Sequence, residues 1–450
     1  MEIAQLSDLL KECGIVGAGG AGFPTYAKLD KRAKTIILNC AECEPLLRLH
    51  RQLLGHHAYE VLSAFYEIGK AVGAEKMIIG MKRAYSNTIE AVQEYLGLYK
   101  GMELKLLDEV YPAGDEVVLI YETTGKVVPP GGLPIEIGVA VFNVETVYNI
   151  HRALNYNEPV TDKLVTLAGE VEHPMTIRIP LGMTVREALT FAGKELVSDP
   201  AYVMGGPMMG NLVSGNDLIT KTSNAIIVLP KDHPVVLKKQ KNTAIDMKRA
   251  AAACCQCSMC TDLCPRNLLG HPIEPNKFML AATCKDVQDT GIFLNTMFCS
   301  SCGLCELYSC PQGLSPRTLI TEYKTGLRKA GIRPPKGVEA APVNPAREYR
   351  KVPRQRLVAR LGLTPYVKKA PLIEGRVKAE RVKILLSQHI GAPAKLMVKA
   401  GDEVVKGQVI GAPAGGLSTT IHASISGTVL EANDKFVMIE AGRKDGHLDE

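Results

Sequence analysis

The sequence contains no tryptophan, and aromatic residues are scarce, with 8 Phe and 15 Tyr among 450 residues. It also lacks any run of about 20 apolar residues, the length that a membrane-spanning helix needs. The first residues, MEIAQLSDLLKECG, are acidic and amphipathic and lack the basic segment and apolar core of a secretory signal. We therefore expect a cytoplasmic protein with no membrane span.

The remaining composition is ordinary, with 46% hydrophobic and 22% charged residues and a net charge of +6. These values exclude a disordered, collagen-like or repeat-dominated chain, and the length corresponds to about three domains. Charge is uneven, because residues 316–384 hold 18 Lys and Arg against 5 Asp and Glu. Few aromatic residues interrupt this segment, and it is rich in proline. We therefore interpret it as a linker on an acidic neighbour and expect no nucleic-acid partner.

Hydrophobic periodicity predicts a multidomain chain of α/β plus α+β class. Buried strands at 35–42 and 76–82 alternate with amphipathic helices, which predicts an N-terminal α/β domain with a mainly parallel sheet. A small mixed β module, a helical cysteine-rich region, a basic linker and a small barrel or sandwich follow. The predicted boundaries of these five parts are 1–155, 160–230, 245–330, 331–375 and 376–445.

Thirteen cysteines in a chain expected in a reducing compartment indicate metal binding or catalysis rather than disulfides. Two runs stand out, Cys254-x2-Cys257-x2-Cys260-x3-Cys264-Pro and Cys299-x2-Cys302-x2-Cys305-x4-Cys310-Pro. The first run matches the ferredoxin pattern for a [4Fe–4S] cluster, and the second differs by one inserted residue. In two-cluster ferredoxins the fourth cysteine of each run ligates the other cluster.

This crossing predicts the ligands of two [4Fe–4S] clusters. The first cluster is assigned to Cys254, Cys257, Cys260 and Cys310, and the second to Cys299, Cys302, Cys305 and Cys264. A pair of zinc sites fits poorly, because zinc takes four ligands from two paired knuckles. Cys255 breaks the register and is predicted to be a spare thiol. The other cysteines, expected to be small core residues, are Cys13, Cys40, Cys43 and Cys284.

A glycine-rich stretch, GIVGAGGAGFPTYAK (14–28), contains Gly17-x-Gly19-x-x-Gly22, and Glu42 follows twenty residues later. The letters fit a dinucleotide-binding fingerprint. The preceding LLKECGIV is a poor buried strand, however, and Pro24 follows the last glycine closely. A simple Rossmann site is therefore not predicted. Dense glycine still allows backbone N–H groups to approach a phosphate or a flat ring, so we expect a bound nucleotide or flavin.

Together with ILNCAECEP (37–45), YPAGDE (111–116) and FNVET (142–146), this stretch resembles a known flavin-binding fold. That fold is shared by the NADH-oxidising subunit of respiratory complex I and the C subunit of the Rnf electron-transfer complex. The resemblance implies that FMN is bound by Gly17, Gly19, Gly20, Lys28, Asn39, Glu42, Tyr111, Gly114, Asn143 and Thr146. It places Phe23, Glu44 and Glu116 where the complex I protein holds nicotinamide nucleotide. Lys31 stands where that protein has a further aromatic residue.

The resemblance continues along the chain. Residues 160–215 resemble the soluble-ligand-binding β-grasp (SLBB) module, and the two-cluster region follows as in the Rnf protein. Residues 387–411 with IHASISGTV resemble a lipoyl-like barrel-sandwich hybrid, but SIS occupies the hairpin tip, so no lipoylation is expected. In the Rnf protein this module comes first, whereas here it comes last. This order is similar to that of the PduS-type cobalamin reductases of propanediol-utilisation microcompartments.

The resemblance implies an oxidoreductase that passes electrons from NADH through FMN and two [4Fe–4S] clusters to cobalamin, inside a bacterial microcompartment. It implies a corrinoid adenosyltransferase as partner, with shell proteins and further copies of the chain as other candidates. No general base is predicted, since the protein positions cofactors rather than transferring protons. The alternatives are a non-catalytic electron-transfer subunit of an Rnf-like complex and a microcompartment scaffold with degenerate sites. Corrin ligands and the choice between NADH and NADPH remain open at this stage.

Overall fold

The computed structural model describes residues 1–240, 242–284 and 289–442. Residues 285–288 of the predicted cysteine-rich region and 443–445 of the predicted C-terminal module lie outside the described residues. Among the described residues, none of the helices is both long enough and apolar enough to cross a bilayer.

The N-terminal domain is built on a four-stranded parallel sheet, as its alternating pattern predicts. In spatial order the strands are Met102–Leu107, Lys76–Lys82, Thr35–Cys40 and Val139–Asn143. The inner strands are almost continuously buried because helices cover both faces of the sheet. The helices are Ile3–Glu12, Leu49–His56, Ala58–Val72, Ser86–Leu96, Glu116–Thr124 and Val144–Tyr156.

The carboxyl ends of these parallel strands meet at one edge of the sheet, where ligands of open α/β folds bind. Two helices begin there with side-chain caps. Asp115 accepts hydrogen bonds from the N–H groups of Val117 and Val118, and Asn143 accepts one from the N–H group of Glu145. These caps hold the backbone in place where the strands end, and that backbone forms part of the cavity described below.

The second module contains a six-stranded mixed sheet. In spatial order its strands are Leu372–Arg376, Met175–Pro180, Asp162–Gly169, Ala225–Pro230, Pro200–Met204 and Asn211–Val213. A short helix, Val185–Thr190, begins with a capping box between Thr184 and Glu187. The edge strand Leu372–Arg376 comes from the segment that we expected to be a linker.

The cysteine-rich region is helical. Its helices, with the connecting helix that precedes them, are Pro234–Lys239, Thr243–Ala253, Met259–Asp262, Pro265–Leu268, Pro275–Thr283, Gly291–Leu294 and Pro316–Lys329. A small core of Phe278, Phe293 and Tyr323 holds them together, with Phe293 and Tyr323 stacked at 5.2 Å between ring centroids. The cysteines lie in the loops between these helices or in short helical segments, such as Met259–Asp262 with Cys260 and the π-helical turn Cys305–Ser309.

The basic segment 331–375 is ordered against the N-terminal domain. Its strand Val352–Pro353 pairs with Val110–Tyr111, and the helix Arg354–Arg360 follows. Arg347 and Lys351 form ion pairs with Glu122, at 2.5 and 3.0 Å. Part of the charge of the segment therefore faces a carboxylate of its neighbour. A simple linker needs neither paired strands nor a buried arginine. This segment has both, so it is part of the folded structure.

The C-terminal module consists of two small sheets packed face to face. One contains Arg381–Leu385, Phe436–Ala441, Gly427–Ala432 and Glu403–Val404, and the other contains Lys395–Leu396, Val409–Ala412 and Ile421–His422. Alternate residues such as Ile384, Val437 and Ile439 fill the space between the sheets.

Three domains meet at one buried lysine. Lys221 of the second module is 1% exposed, and its ammonium group donates to the carbonyl oxygens of Gly14 (2.6 Å) and Thr420 (3.1 Å). Gly14 is the first residue of the glycine-rich stretch 14–28, and Thr420 belongs to the C-terminal module. Burial lowers the pKa of Lys221 to about 7. The junction therefore contains a group whose charge changes near neutral pH.

We expect this lysine to make stability depend on pH. The folded-state pKa of Lys221 is about 7, whereas that of unfolded lysine is about 10.4. Between these values the unfolded state binds the extra proton, so folding becomes more favourable as the pH rises. Lys221→Met removes this contribution. The advantage of the wild type over this variant should grow by at most about 1.4 kcal/mol per pH unit.

Urea unfolding of both proteins at pH 7 and pH 9 measures this difference. Lys435→Met alters a solvent-exposed lysine of the C-terminal module and serves as the control. Parallel pH profiles for the wild type and Lys221→Met would contradict the assignment.

Candidate functional site

A cavity of about 430 Å³ opens at the carboxyl ends of the parallel strands. We call it the flavin cavity. The glycine loop (residues 17–22), the strand ends and part of the second module form its walls. Twelve of the residues that the resemblance assigns to FMN or NADH line it: Gly17, Gly19, Gly20, Phe23, Lys28, Asn39, Glu42, Glu44, Gly114, Glu116, Asn143 and Thr146.

Tyr111, which the resemblance assigns to FMN, lies elsewhere. Its side chain is 2% exposed and is not part of the cavity wall. Its hydroxyl group donates a hydrogen bond of 2.6 Å to the carbonyl oxygen of Cys302. Tyr111 therefore joins the N-terminal domain to the cysteine-rich region behind the cavity.

The glycine loop is held against the helix Val144–Tyr156. The N–H group of Ala18 donates to the hydroxyl of Thr146 (3.0 Å), and that of Gly17 donates to the carbonyl of Phe23 (2.9 Å). Gly19 has no room for a side chain, because an added Cβ would lie 2.4 Å from Nδ2 of Asn143. The loop is thus a bare backbone surface of the kind that contacts a phosphate or a flat ring.

Several polar groups in the cavity wall lack partners within the part of the chain that the structure describes. Both carboxylate oxygens of Glu42, Oγ1 of Thr25 and Oδ1 of Asn224 are buried there without a hydrogen bond. His50 lies 3.8 Å from Glu42, but burial lowers the pKa of His50 to about 4, so its ring is neutral at pH 7. Unpaired buried polar atoms are costly, and the N–H and hydroxyl groups of a flavin would satisfy them.

Lys28 lies at the cavity wall beside Glu116. Its Nζ donates to the carbonyl oxygen of Val141 (3.0 Å) and lies 3.5 Å from Oε1 of Glu116. Glu116 therefore offsets part of the charge that Lys28 would present to a phosphate. Both side chains keep appreciable solvent exposure, so a ligand can still reach them.

Glu44 is engaged with the second module. Its carboxylate accepts hydrogen bonds from the N–H groups of Met208 (2.9 Å) and Met209 (2.8 Å). Burial raises the pKa of Glu44, while these N–H groups, Lys239 and Arg317 act in the opposite direction. The resemblance assigns this residue to nicotinamide nucleotide, whereas here its oxygens already have partners.

The eight predicted cluster ligands gather around two cavities. Cys254, Cys257, Cys260 and Cys310 line one, which we call the first cysteine site. Cys264, Cys299, Cys302 and Cys305 line the other, the second cysteine site. The fourth cysteine of each run thus stands beside the three leading cysteines of the other run, as the ferredoxin pattern predicts.

The local backbone suits cluster binding. Gln256, Ser258 and Ser301, which lie between the cysteines, have positive φ angles that turn the chain tightly. The N–H of Ser301 donates to Sγ of Cys299 (3.3 Å), and that of Leu314 donates to Sγ of Cys310 (3.4 Å). Burial raises the pKa of Cys260 to about 12. A cluster would supply the positive charge that keeps such ligands as thiolates.

One residue belongs to both kinds of site. Cys302 lines the flavin cavity and the second cysteine site. The second site is therefore next to the flavin cavity, whereas the first site shares no lining residue with it. The flavin cavity and the second cysteine site are therefore adjoining sites.

Domain families match four parts of the chain. Residues 10–152 match the Nuo51 FMN-binding domain and 164–212 the SLBB domain. Residues 253–315 match the 4Fe-4S dicluster domain and 362–444 the RnfC barrel sandwich hybrid domain. These matches confirm the predicted fold class and the expected FMN- and [4Fe–4S]-binding domains.

Full-length relatives identify the family. The chain is 39% identical to cobalamin reductase PduS of Salmonella typhimurium over 443 residues, covering 97% of each chain. It is 38% identical to cobalamin reductase PduS of Citrobacter freundii over 97% of this chain and 96% of that one. The chain belongs to the PduS cobalamin reductase family. The C subunit of the ion-translocating oxidoreductase complex of Edwardsiella ictaluri is 34% identical over 59% of this chain and 32% of its own length.

Within this PduS-family chain, Cys43, His50 and Asn224 also line the flavin cavity but were not predicted to do so. Cys43 lies within the ILNCAECEP motif, between the predicted site residues Glu42 and Glu44, so the sequence contained a local signal for it. Asn224 comes from the second module and carries no local signal. Cys284, expected in the core, is instead exposed, whereas Cys13 and Cys40 are buried as expected.

We expect Gly19→Ala to weaken FMN binding by about tenfold or more, because the added Cβ collides with Asn143 and displaces the loop or the amide. The FMN retained after gel filtration and a flavin titration of the apoprotein measure this loss. Gly97→Ala, where an added Cβ meets nothing within 4 Å, is the control. Equal FMN affinity of Gly19→Ala and the wild type would show that the loop does not contact the cofactor.

Cys310→Ala should damage the cluster of the first cysteine site although Cys310 lies in the second run. We expect iron to fall from about eight to about four per chain, with the spectrum of the remaining cluster unchanged. Cys284→Ala, an exposed cysteine outside both sites, is the matched control. Loss of the second-site cluster alone would show that each run holds its own cluster.

Proposed function

We propose that this chain is an NADH-dependent cobalamin reductase that passes electrons through FMN and two [4Fe–4S] clusters. The observation that carries the proposal is the position of Cys302, which lines the flavin cavity and the second cysteine site at once. FMN supplies the conversion of a hydride into single electrons, which a one-electron acceptor such as a corrin cobalt requires. The names of the full-length relatives support cobalamin as the acceptor.

The residues of the cavity divide into three groups in this proposal. The bare backbone of Gly17, Gly19 and Gly20, together with Lys28, suits the phosphate end of FMN. The polar groups that would orient the flavin are Asn39, Glu42, Gly114, Asn143 and Thr146. Phe23 and Glu116 lie on the same wall and are proposed to receive the nicotinamide nucleotide. Tyr111 supports the site from behind rather than lining it.

The positions of the eight cysteines suggest the order in which electrons would pass through the two clusters. Electrons would leave the flavin cavity for the second cysteine site, beside Cys302, and would then reach the first cysteine site. Near the first site Cys255 and Cys257 are exposed, so this end faces a partner or solvent. A corrinoid acceptor is therefore proposed to collect electrons at the first cysteine site.

We further propose a bacterial microcompartment for propanediol utilisation as the setting, with a corrinoid adenosyltransferase as partner. The similarity to PduS proteins over almost the entire chain supports this setting. Shell proteins and other copies of the chain are further candidates for contact.

The anaerobically purified protein, with its FMN and iron measured, should reduce cobalamin when NADH is the only electron donor. Absorbance spectra follow the flavin, the clusters and the corrin separately. We expect Cys305→Ala to keep FMN and its reduction by NADH, while cobalamin reduction falls on the order of tenfold or more because the second site is broken. Cys284→Ala again serves as the control.

A wild-type protein that accepts electrons from NADH but never reduces cobalamin would favour the alternative, an electron-transfer subunit of an Rnf-like complex. Cobalamin reduction that survives the loss of the second cluster would contradict the proposed route.

A further inference from the structure

The loop 205–210, GGPMMG, joins the strands Pro200–Met204 and Asn211–Val213 and lies between three domains. We call it the methionine loop. Met209 lines the flavin cavity, and Met208 is fully buried. The sequence of the loop does not indicate a role in electron transfer. Its hydrogen bonds connect it to the N-terminal domain and to the cysteine-rich region.

On one side the loop binds Glu44 of the N-terminal domain. Oε2 accepts the N–H of Met208 and Oε1 accepts the N–H of Met209, at 2.9 and 2.8 Å. Both oxygens of one carboxylate are thus used by two successive backbone groups. Two hydrogen bonds to one carboxyl group thus tie the two domains together.

The glycines of the loop leave room for this carboxylate. A Cβ at Gly206 would lie 2.1 Å from the carboxyl carbon of Glu44 and from one of its oxygens. Gly205 has a φ of +91°, and a Cβ at Gly210 would lie 2.5 Å from the carbonyl oxygen of Gly206. The loop is therefore shaped around Glu44, and a side chain at Gly206 is incompatible with the contact.

On its other side the loop binds the cysteine-rich region. The carbonyl oxygen of Met208 accepts a hydrogen bond from Nη1 of Arg317 (3.0 Å), and Nη2 of Arg317 donates to Glu306 (3.2 Å). Arg317 lines the second cysteine site, and Glu306 directly follows Cys305. A continuous buried chain of polar contacts thus runs from the flavin cavity to the second cysteine site.

We propose that Glu44 is a positioning residue that clamps the methionine loop and so fixes the second cysteine site against the flavin cavity. This role rests on the proposed electron route and replaces the nucleotide-binding role that the resemblance implies for Glu44. The clamp keeps constant the distance between the flavin cavity, which donates electrons in this route, and the second cysteine site, which accepts them. Phe23 and Glu116 are left as the residues that receive the nicotinamide nucleotide.

The first test measures the clamp directly by hydrogen–deuterium exchange of the intact protein. Glu44→Gln loses one of the two acceptors, and Gly206→Ala displaces the carboxylate from the opposite side. In both variants, peptides containing Met208 and Met209 should exchange about tenfold faster or more. Glu103→Gln, a substitution at an exposed glutamate on the edge strand Met102–Leu107, is the control and should not alter this exchange. Unchanged exchange in Glu44→Gln would overturn the clamp, and this result does not depend on cobalamin reduction.

The second test separates the two roles of Glu44 by anaerobic stopped-flow absorbance, after FMN and iron contents have been matched. The clamp predicts that NADH reduces the flavin at a near-normal rate, whereas the following reduction of the clusters slows by about tenfold or more. A nucleotide-binding role predicts the reverse. The NADH concentration for half-maximal flavin reduction would rise about tenfold or more, with cluster reduction unchanged, and that result would overturn the proposal.

Discussion

Cys302 belongs to the walls of two cofactor sites at once, and this shared wall constrains the rest of the structure. The cysteine-rich region cannot shift relative to the N-terminal domain without changing both sites together. Two contacts oppose such a shift directly. Tyr111 donates to the carbonyl oxygen of Cys302, and Arg266 forms a 2.9 Å ion pair with Asp115, the residue that caps the helix Glu116–Thr124. The strand Val352–Pro353 pairs with the strand of Tyr111, so the basic segment braces the same contact from outside.

The C-terminal module also helps to hold the flavin cavity in place, because it contacts the glycine loop. The N–H of Ile390 donates to the carbonyl of Gly22 (3.1 Å), and the amide oxygen of Gln388 accepts the N–H of Lys221 (3.0 Å). The glycine loop therefore contacts the C-terminal module as well as the helix Val144–Tyr156 of its own domain. Because a loop rich in glycine loses much conformational freedom when it becomes ordered, contacts of this kind favour the ordered state that a cofactor needs.

Sequence patterns predicted the parts of the molecule that depend on nearby residues. The spacing of the two cysteine runs predicted which cysteines gather at each site, and alternating strands and helices predicted the parallel sheet. The resemblance to the flavin fold placed twelve of thirteen residues at the cavity.

The features that could not be predicted depend on contacts between distant segments. The hydroxyl of Tyr111 meets a carbonyl 191 positions away, and Glu44 meets the methionine loop 164 positions away. Neither contact leaves a local pattern, and the strands of segment 331–375 are too short to show a period.

The domains share an apolar core, and buried polar groups also connect them. The polar contacts have a physical consequence of their own. Arg152 of the N-terminal domain is paired with Asp162 of the second module at 3.1 Å, and both side chains are almost fully buried. A buried ion pair adds little net stability, because desolvation offsets its attraction, but removal of one partner is strongly destabilising. Apolar surfaces tolerate small displacements, whereas such pairs and the hydrogen bonds of Glu44 are satisfied in one arrangement only. Polar contacts of this kind therefore define the relative position of the domains more sharply than they raise overall stability. Adjoining redox sites such as the flavin cavity and the second cysteine site require a defined position above all.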